Sequence, residues 1–244
     1  MRNIKLLLQY DGTNYHGWQT QENAITVQQT VEEAIKKLTG IRVMLVGCGR
    51  TDTGVHAKRY VCNFKCETTI PCDKLPYALN RFLPDDIVCM GAEDVLMDFD
   101  ARKSAKAKTY TYKIVNSQYK NVFFNNKAWH YRYPVDIDKM KKAASQFLGT
   151  HDFIGFAASG FTVKTTVRTI TAIDVTKNDD VIEIAVTGNG FLYNMVRIIA
   201  GTLVFAGNEK INCDEISDII ESKDRKRAGI TAPACGLYLT EVYY

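Results

Sequence analysis

Apolar and polar positions alternate along this chain in short blocks that switch between two periods. Ile4 to Gln9 is an apolar run closed by the turn signal Tyr10-Asp11-Gly12-Thr13, and reads as a buried strand. Val27, Val31, Ala34, Ile35 and Leu38 recur at helical spacing. Thr26 stands as N-cap with Gln29 completing a capping box, and Gly40 supplies the stop. Val43 to Val46 predicts a second strand and Tyr60, Cys62 and Phe64 a third. A short helix from Asp73 to Leu83, halted by Pro84, precedes a strand at Ile87 to Met90.

The alternation then starts again. Thr109 to Val115 predicts a strand with Tyr110 and Tyr112 on one face, and Trp129 to Tyr133 another. Ile137, Met140, Ala144, Phe147 and Leu148 mark a helix that stops at Gly149. Val167 to Val175 and Val181 to Thr187 form a hairpin turned at Asn178-Asp179-Asp180. A helix from Phe191 to about Phe205 follows, then a short helix near Asp214 to Glu221 and a last strand from Leu237 to Val242. The expected fold is α+β: two similar α/β halves with antiparallel sheets flanked by helices. The expected division is 1–104 and 105–244, with the link near residues 98–108.

Composition narrows the class. The chain has 244 residues, 46% hydrophobic and 24% charged, as expected for a soluble globular protein. The net charge of +4 is too mild to name a partner by itself, but basic residues cluster. Arg102, Lys103, Lys106, Lys108 and Lys113 form one stretch; Lys223, Arg225, Lys226 and Arg227 form another. Seven cysteines with no Cys-x-x-Cys spacing and four histidines without metal spacing argue against a disulfide framework and a zinc site. The first residues run straight into a strand pattern, and no apolar run is long enough to span a membrane. A reducing cytoplasm fits.

The candidate chemistry sits in Gly49-Arg50-Thr51-Asp52-Thr53-Gly54-Val55-His56-Ala57. One carboxylate lies between threonines and glycines, two residues after an arginine. Such a cluster is most often an ordinary turn. An acid held in a tight turn beside a cation is also suited to stay ionised and reach outward, as a nucleophile must. Asp-Thr-Gly is the triplet of aspartic proteases as well. Those enzymes pair two carboxylates around one proton, and this chain has no second such triplet. No GxGxxG, no GxxxxGK[ST] and no G-x-S-x-G occurs, so a nucleotide cofactor and a serine hydrolase lack support. Arg197, inside the apolar Met195-Val196-Arg197-Ile198-Ile199, is either a structural arginine or a site residue. Tyr110 sits on a strand flanked by basic residues and by itself reads as an ordinary sheet aromatic. His16 and Trp18 read as a structural loop with an aromatic anchor.

Several longer segments occur in order: YDGTNYHGWQTQ, GRTDTGVHA, FDAR, KTYTYKI, GFLYNMVRIIAG and APACGLYLTEV. With them the chain resembles the tRNA pseudouridine synthase A (TruA) family over essentially its whole length. The resemblance implies an isomerase that converts uridine to pseudouridine in the anticodon stem-loop, at tRNA positions 38, 39 and 40, acting as a homodimer without cofactor or metal, with the active-site cleft between the two α/β halves. It places Asp52 at the catalytic nucleophile and Arg50 at the arginine that displaces the target nucleotide. Tyr110 falls at the tyrosine that stacks on uracil, Arg197 at the arginine paired with the aspartate, and Leu237 at the apolar residue packed on the base. Arg168 and the basic residues of 102–113 are candidates for tRNA phosphates. Thr53 departs from the alanine frequent after the nucleophile, a small change. The alternative is a non-catalytic tRNA-binding module on the same fold.

Overall fold

The computed structural model describes residues 1–160 and 163–244. The chain forms two compact units, residues 1–106 with 238–244, and residues 107–237.

The first unit opens with β1 (Arg2–Tyr10), α1 (Val27–Thr39), β2 (Val46–Gly47), β3 (His56–Cys66), α2 (Leu75–Asn80) and β4 (Ile87–Val95). In β1, Ile4, Leu6, Leu8 and Tyr10 alternate onto one face and are all buried. β1 pairs antiparallel with β3 (Ile4 opposite Phe64, Leu8 opposite Tyr60) and, on its other edge, with β4. α1 begins where its cap predicts, with Thr26 Oγ1 accepting from the Gln29 amide at 3.4 Å. It ends at Gly40, in the left-handed region at φ +75°. Val27, Val31, Ala34 and Ile35 form its buried stripe. A stripe of this kind stabilises by roughly 1.5–3 kcal/mol per fully buried branched side chain, enough to hold a helix that is marginal alone.

The second unit contains β5 (Ala107–Val115), β6 (Trp129–His130), α3 (Ile137–Ser145), β7 (Gly149–Asp152), β8 (Val167–Asn178), β9 (Val181–Gly188), α4 (Met195–Gly207) and α5 (Ile216–Ser222). Its sheet runs in the order β5-β9-β8-β7, antiparallel throughout, with β6 added parallel to β5. The β8–β9 hairpin turns where the sequence places it, with Asp179 at φ 50°. α4 is buried on nearly every side, as its uniformly apolar sequence requires, and packs on α3 and β5. The chain then closes with β10 (Leu237–Tyr243), which lies parallel to β3, Tyr238 opposite His56. Both units are mixed α and β, with antiparallel strands and flanking helices, as expected.

Four elements differ from the sequence pattern. The strand expected at Val43 to Val46 is only Val46–Gly47. Leu45 gives its backbone to α1 instead: its amide donates to Glu32 Oε1 at 2.9 Å, and its carbonyl accepts from Gln28 Nε2 at 3.3 Å. The strand expected at Trp129 to Tyr133 is only Trp129–His130. The helix expected from Phe191 starts at Met195, because Asn194 sits at φ 60° and cannot continue a right-handed turn. β7 has no apolar alternation to announce it, being the polar edge strand Gly149–Asp152.

Candidate functional site

The loop between β2 and β3 is held from three directions. The Tyr60 hydroxyl donates to the Gly49 carbonyl at 2.5 Å, and the Tyr10 hydroxyl and Thr51 Oγ1 share a hydrogen bond at 2.9 Å. The residues on either side of Arg50 are therefore tied to β3 and β1, while Arg50 itself is exposed. Tyr60 stacks on Trp18 with centroids 4.0 Å apart and lies against Tyr10 at 5.6 Å, so the two hydroxyls rise from one packed aromatic cluster. Burial pushes the Tyr60 hydroxyl well above its ordinary pKa, which keeps it a donor.

From the second direction, the Trp18 amide donates to the Thr51 carbonyl at 3.2 Å. This approach requires glycine at position 17. Gly17 sits at φ +79°, and a methyl group there would meet the Thr51 oxygen at 2.2 Å. From the third, the Gly54 amide donates to the Tyr15 carbonyl at 3.3 Å, and the Val55 amide closes the turn onto the Asp52 carbonyl at 3.1 Å. Tyr15 is tied in turn to Asp86 by its hydroxyl at 2.5 Å. Asp52 is half-buried on this frame. The backbone around the carboxylate is thus fixed by contacts from β1, from β3 and from the loop after β1.

The second unit carries the other candidate residues in two groups. Tyr110, on β5 opposite Val186, meets Phe191 edge-on, with centroids 5.3 Å apart at 88°. The edge contact fixes the plane of a half-buried ring, and an oriented tyrosine ring is a stacking surface for a base. Gly190 in the same turn lies against the Arg168 side chain. Nη1 of Arg168 donates to the carbonyls of Thr165 at 2.9 Å and Val167 at 2.6 Å, and burial lowers its pKa from the ordinary value. Part of this guanidinium is spent on its own loop.

Arg197 and Leu237 are joined through one segment. Arg197 Nε donates to the Ala232 carbonyl and Nη1 to Asn194 Oδ1, both at 2.7 Å, and the Ala232 amide returns a bond to the Arg197 carbonyl at 3.2 Å. These bonds fix the guanidinium on α4 and hold the segment leading to the turn Ala234–Gly236. Leu237 follows, buried. Tyr112 anchors the same segment by donating to the Pro233 carbonyl at 2.7 Å. The structure therefore groups Arg50 with Asp52, Tyr110 with Arg168, and Arg197 with Leu237.

The basic stretches divide. Arg102, Lys103 and Lys106 are exposed, whereas Lys113 pairs with Glu183 at 2.7 Å. Lys223 pairs with Asp152 at 2.9 Å, and Arg225 donates to the Gly229 carbonyl and Thr231 Oγ1. Tyr10, Tyr60 and Gly17 frame the Asp52 turn and Phe191 orients Tyr110, and the sequence pattern did not single them out for these roles. The glycine at 17 and the aromatic after Gly188-Asn189-Gly190 were the available signals. Among the described residues no group of three or more His, Cys, Asp or Glu is arranged to hold a metal, and no helix is long and apolar enough to cross a membrane.

Comparison with known proteins gives a consistent result. A family model described as tRNA pseudouridine synthase matches residues 7–102 and 143–244. The chain is 56% identical over 244 residues to the tRNA pseudouridine synthase A of Acetivibrio thermocellus and 55% identical to that of Thermoanaerobacter pseudethanolicus, covering all of both chains in each case. The protein of the same name from Clostridium acetobutylicum is 48% identical, again over full length. The chain also aligns over 96% of its length with 57% of a chain in the crystal structure of a Cbf5-Nop10-Gar1 complex. The TM-score of 0.42 and identity of 10% are too low to build on.

Proposed function

We propose, from the premise that this chain belongs to the family of tRNA pseudouridine synthases, that it acts on the anticodon stem-loop, at tRNA positions 38, 39 and 40, with Asp52 as nucleophile. The family isomerises uridine to pseudouridine. The N1–C1′ bond breaks, the uracil turns, and a C5–C1′ bond forms. The C5 hydrogen leaves as a proton and N1 gains one, so the reaction balances without an oxidant or a co-substrate.

The supporting observation is the frame around Asp52. The carboxylate stands on a turn whose flanking residues are tied by Tyr10, Tyr60 and the Trp18 amide. An ionised carboxylate in a fixed place serves attack at C1′, attack on the uracil ring, or removal of a ribose proton to give a glycal. Arg50, exposed between two clamped residues, is assigned to displacing the target nucleotide from its stack. That step costs about a few kcal/mol. Tyr110 is assigned to stacking on the detached uracil, Leu237 to its apolar wall, and Arg197 to the positive charge that keeps the carboxylate ionised. Arg168 and the exposed Arg102, Lys103 and Lys106 bind phosphates, so that recognition follows tRNA shape. The working form is a cytoplasmic homodimer.

The test is Asp52→Ala. Pseudouridine formation falls by on the order of 10⁴-fold or more while tRNA binding is retained. An active Asp52→Ala would instead indicate a different nucleophile, and a wild-type chain that binds tRNA but forms no pseudouridine would indicate a binding module. Mapping pseudouridine in tRNA from cells lacking the protein checks the three positions, and unchanged modification there refutes the assignment.

A further inference from the structure

A titratable pair, His56 buried and Asp11 half-buried, lies beside the Asp52 turn and takes no part in the chemistry just assigned. His56 is 1% exposed. Its Nδ1 is 3.0 Å from Asp11 Oδ1 and 3.1 Å from the Gly12 amide nitrogen, and its ring stacks on Tyr238 at 4.6 Å and 23°. One ring nitrogen cannot donate to the first and accept from the second at once. With Nδ1 bare it accepts from the Gly12 amide, and with Nδ1 protonated it donates to Asp11; in either form the ring is tied to residue 11 or 12. Thr13 adds two donors to the same Asp11 oxygen, its amide at 3.1 Å and its hydroxyl at 2.6 Å, so the acceptor is fixed in place.

The neighbours of Asp11 reach the nucleophile turn on both sides. Tyr10 holds Thr51, the residue before Asp52, through its hydroxyl. Gly12 lies so close under Val55 that a methyl there would stand 1.9 Å from the Val55 carbonyl oxygen. Val55 leads directly into His56. The turn Asp52 to Val55 is therefore gripped at its leading end by residue 10 and at its trailing end by residues 11 and 12. Gripped at one end alone, a four-residue turn pivots; gripped at both, its carboxylate is aimed.

We infer that Asp11 and His56 are positioning residues for the reaction, a pair that fixes the trailing end of the Asp52 turn. They act through the backbone of 52–56 and not on the nucleotide. The inference rests on the assignment of Asp52 as nucleophile.

The experiment compares steady-state pseudouridine formation on tRNA for the full chain and for Asp11→Ala, Asp11→Asn, His56→Leu, His56→Asn and Asp52→Ala. Asp11→Ala and His56→Leu lower kcat by about 10- to 100-fold, the usual reach of an orienting bond, and change KM for tRNA by less than about three-fold. Asp11→Asn keeps an acceptor and His56→Asn keeps a donor, so both recover most of the lost kcat. Circular dichroism melts establish which variants are folded at the assay temperature. If His56→Leu is not, Asp11→Ala decides, since Asp11 has a side chain 34% exposed and its loss leaves the core intact. Folded Asp11→Ala with wild-type kcat, a loss carried by KM, or no recovery in the conservative variants overturns the inference. Activity in Asp52→Ala removes its premise instead, so the two failures are distinct.

Discussion

Gly17→Ala tests the frame of the Asp52 turn by a known displacement. A methyl group at position 17 would lie 2.2 Å from the Thr51 carbonyl oxygen and 3.1 Å from the Asp52 carbonyl carbon. Ordinary contact begins at 3.4 Å, so the Thr51–Asp52 peptide must retreat by about 1.2 Å, the difference between 3.4 and 2.2. A misplacement of about 1 Å at reacting groups costs on the order of 10²-fold in rate. The left-handed φ of +79° adds a backbone cost of about 1–2 kcal/mol for any residue with a Cβ. Gly40→Ala isolates that second cost, because Gly40 has φ +75° with nothing within 4 Å of the added methyl. Both variants should melt lower, by roughly 2–4 °C for each kcal/mol in a chain of this size. Only Gly17→Ala should lose activity. The assay is single-turnover release of tritium from uracil C5 of labelled tRNA, with enzyme in excess and binding measured separately by filter retention. The expected rates are near wild type for Gly40→Ala and about 100-fold lower for Gly17→Ala, with tRNA affinity unchanged in both. A Gly17→Ala rate within three-fold of Gly40→Ala would refute the claim that this approach sets the position of the carboxylate.

Two further outcomes follow from single groups. Tyr60→Phe deprives the Gly49 carbonyl of its donor; urea unfolding should show a loss of about 1–3 kcal/mol, with kcat falling more than KM rises, and wild-type stability would contradict the bond's role. Asp152 is held below the usual carboxylate range, first by the Thr166 hydroxyl and then by Lys223. A lowered folded pKa contributes stability above the unfolded value of about 3.9, and that contribution disappears as pH falls through the folded value. The stability gap between wild type and Asp152→Asn should therefore be flat near neutrality and shrink below about pH 4. A gap unchanged down to pH 2 would rule this out.

Much of the molecule is written in short-range pattern. α1 was legible from residue 26 to residue 40 because its cap, stripe and stop all act within a few residues of one another. The β8–β9 hairpin was legible for the same reason, its turn residues lying between two alternating runs. Asp52 was legible as a candidate because glycine, threonine and arginine surround it in sequence. The elements that departed from pattern did so through partners that pattern does not carry. Leu45 left its expected strand because Gln28 and Glu32, a helix away, took its backbone.

The frame of the site belongs wholly to this second kind. Tyr10, Trp18 and Tyr60 come from β1, from the loop after it and from β3, and nothing in their spacing says that they stack or that two of their hydroxyls reach residues 49 and 51. His56 meets Asp11 across 45 residues and Tyr238 across 182. Local propensity and periodicity act over a few residues and decide which helices and strands exist and which residue types stand in the turn. Where the Asp52 carboxylate is held depends on contacts between segments far apart in the chain. Those contacts exist only once the strands have paired, so tertiary structure alone decides them.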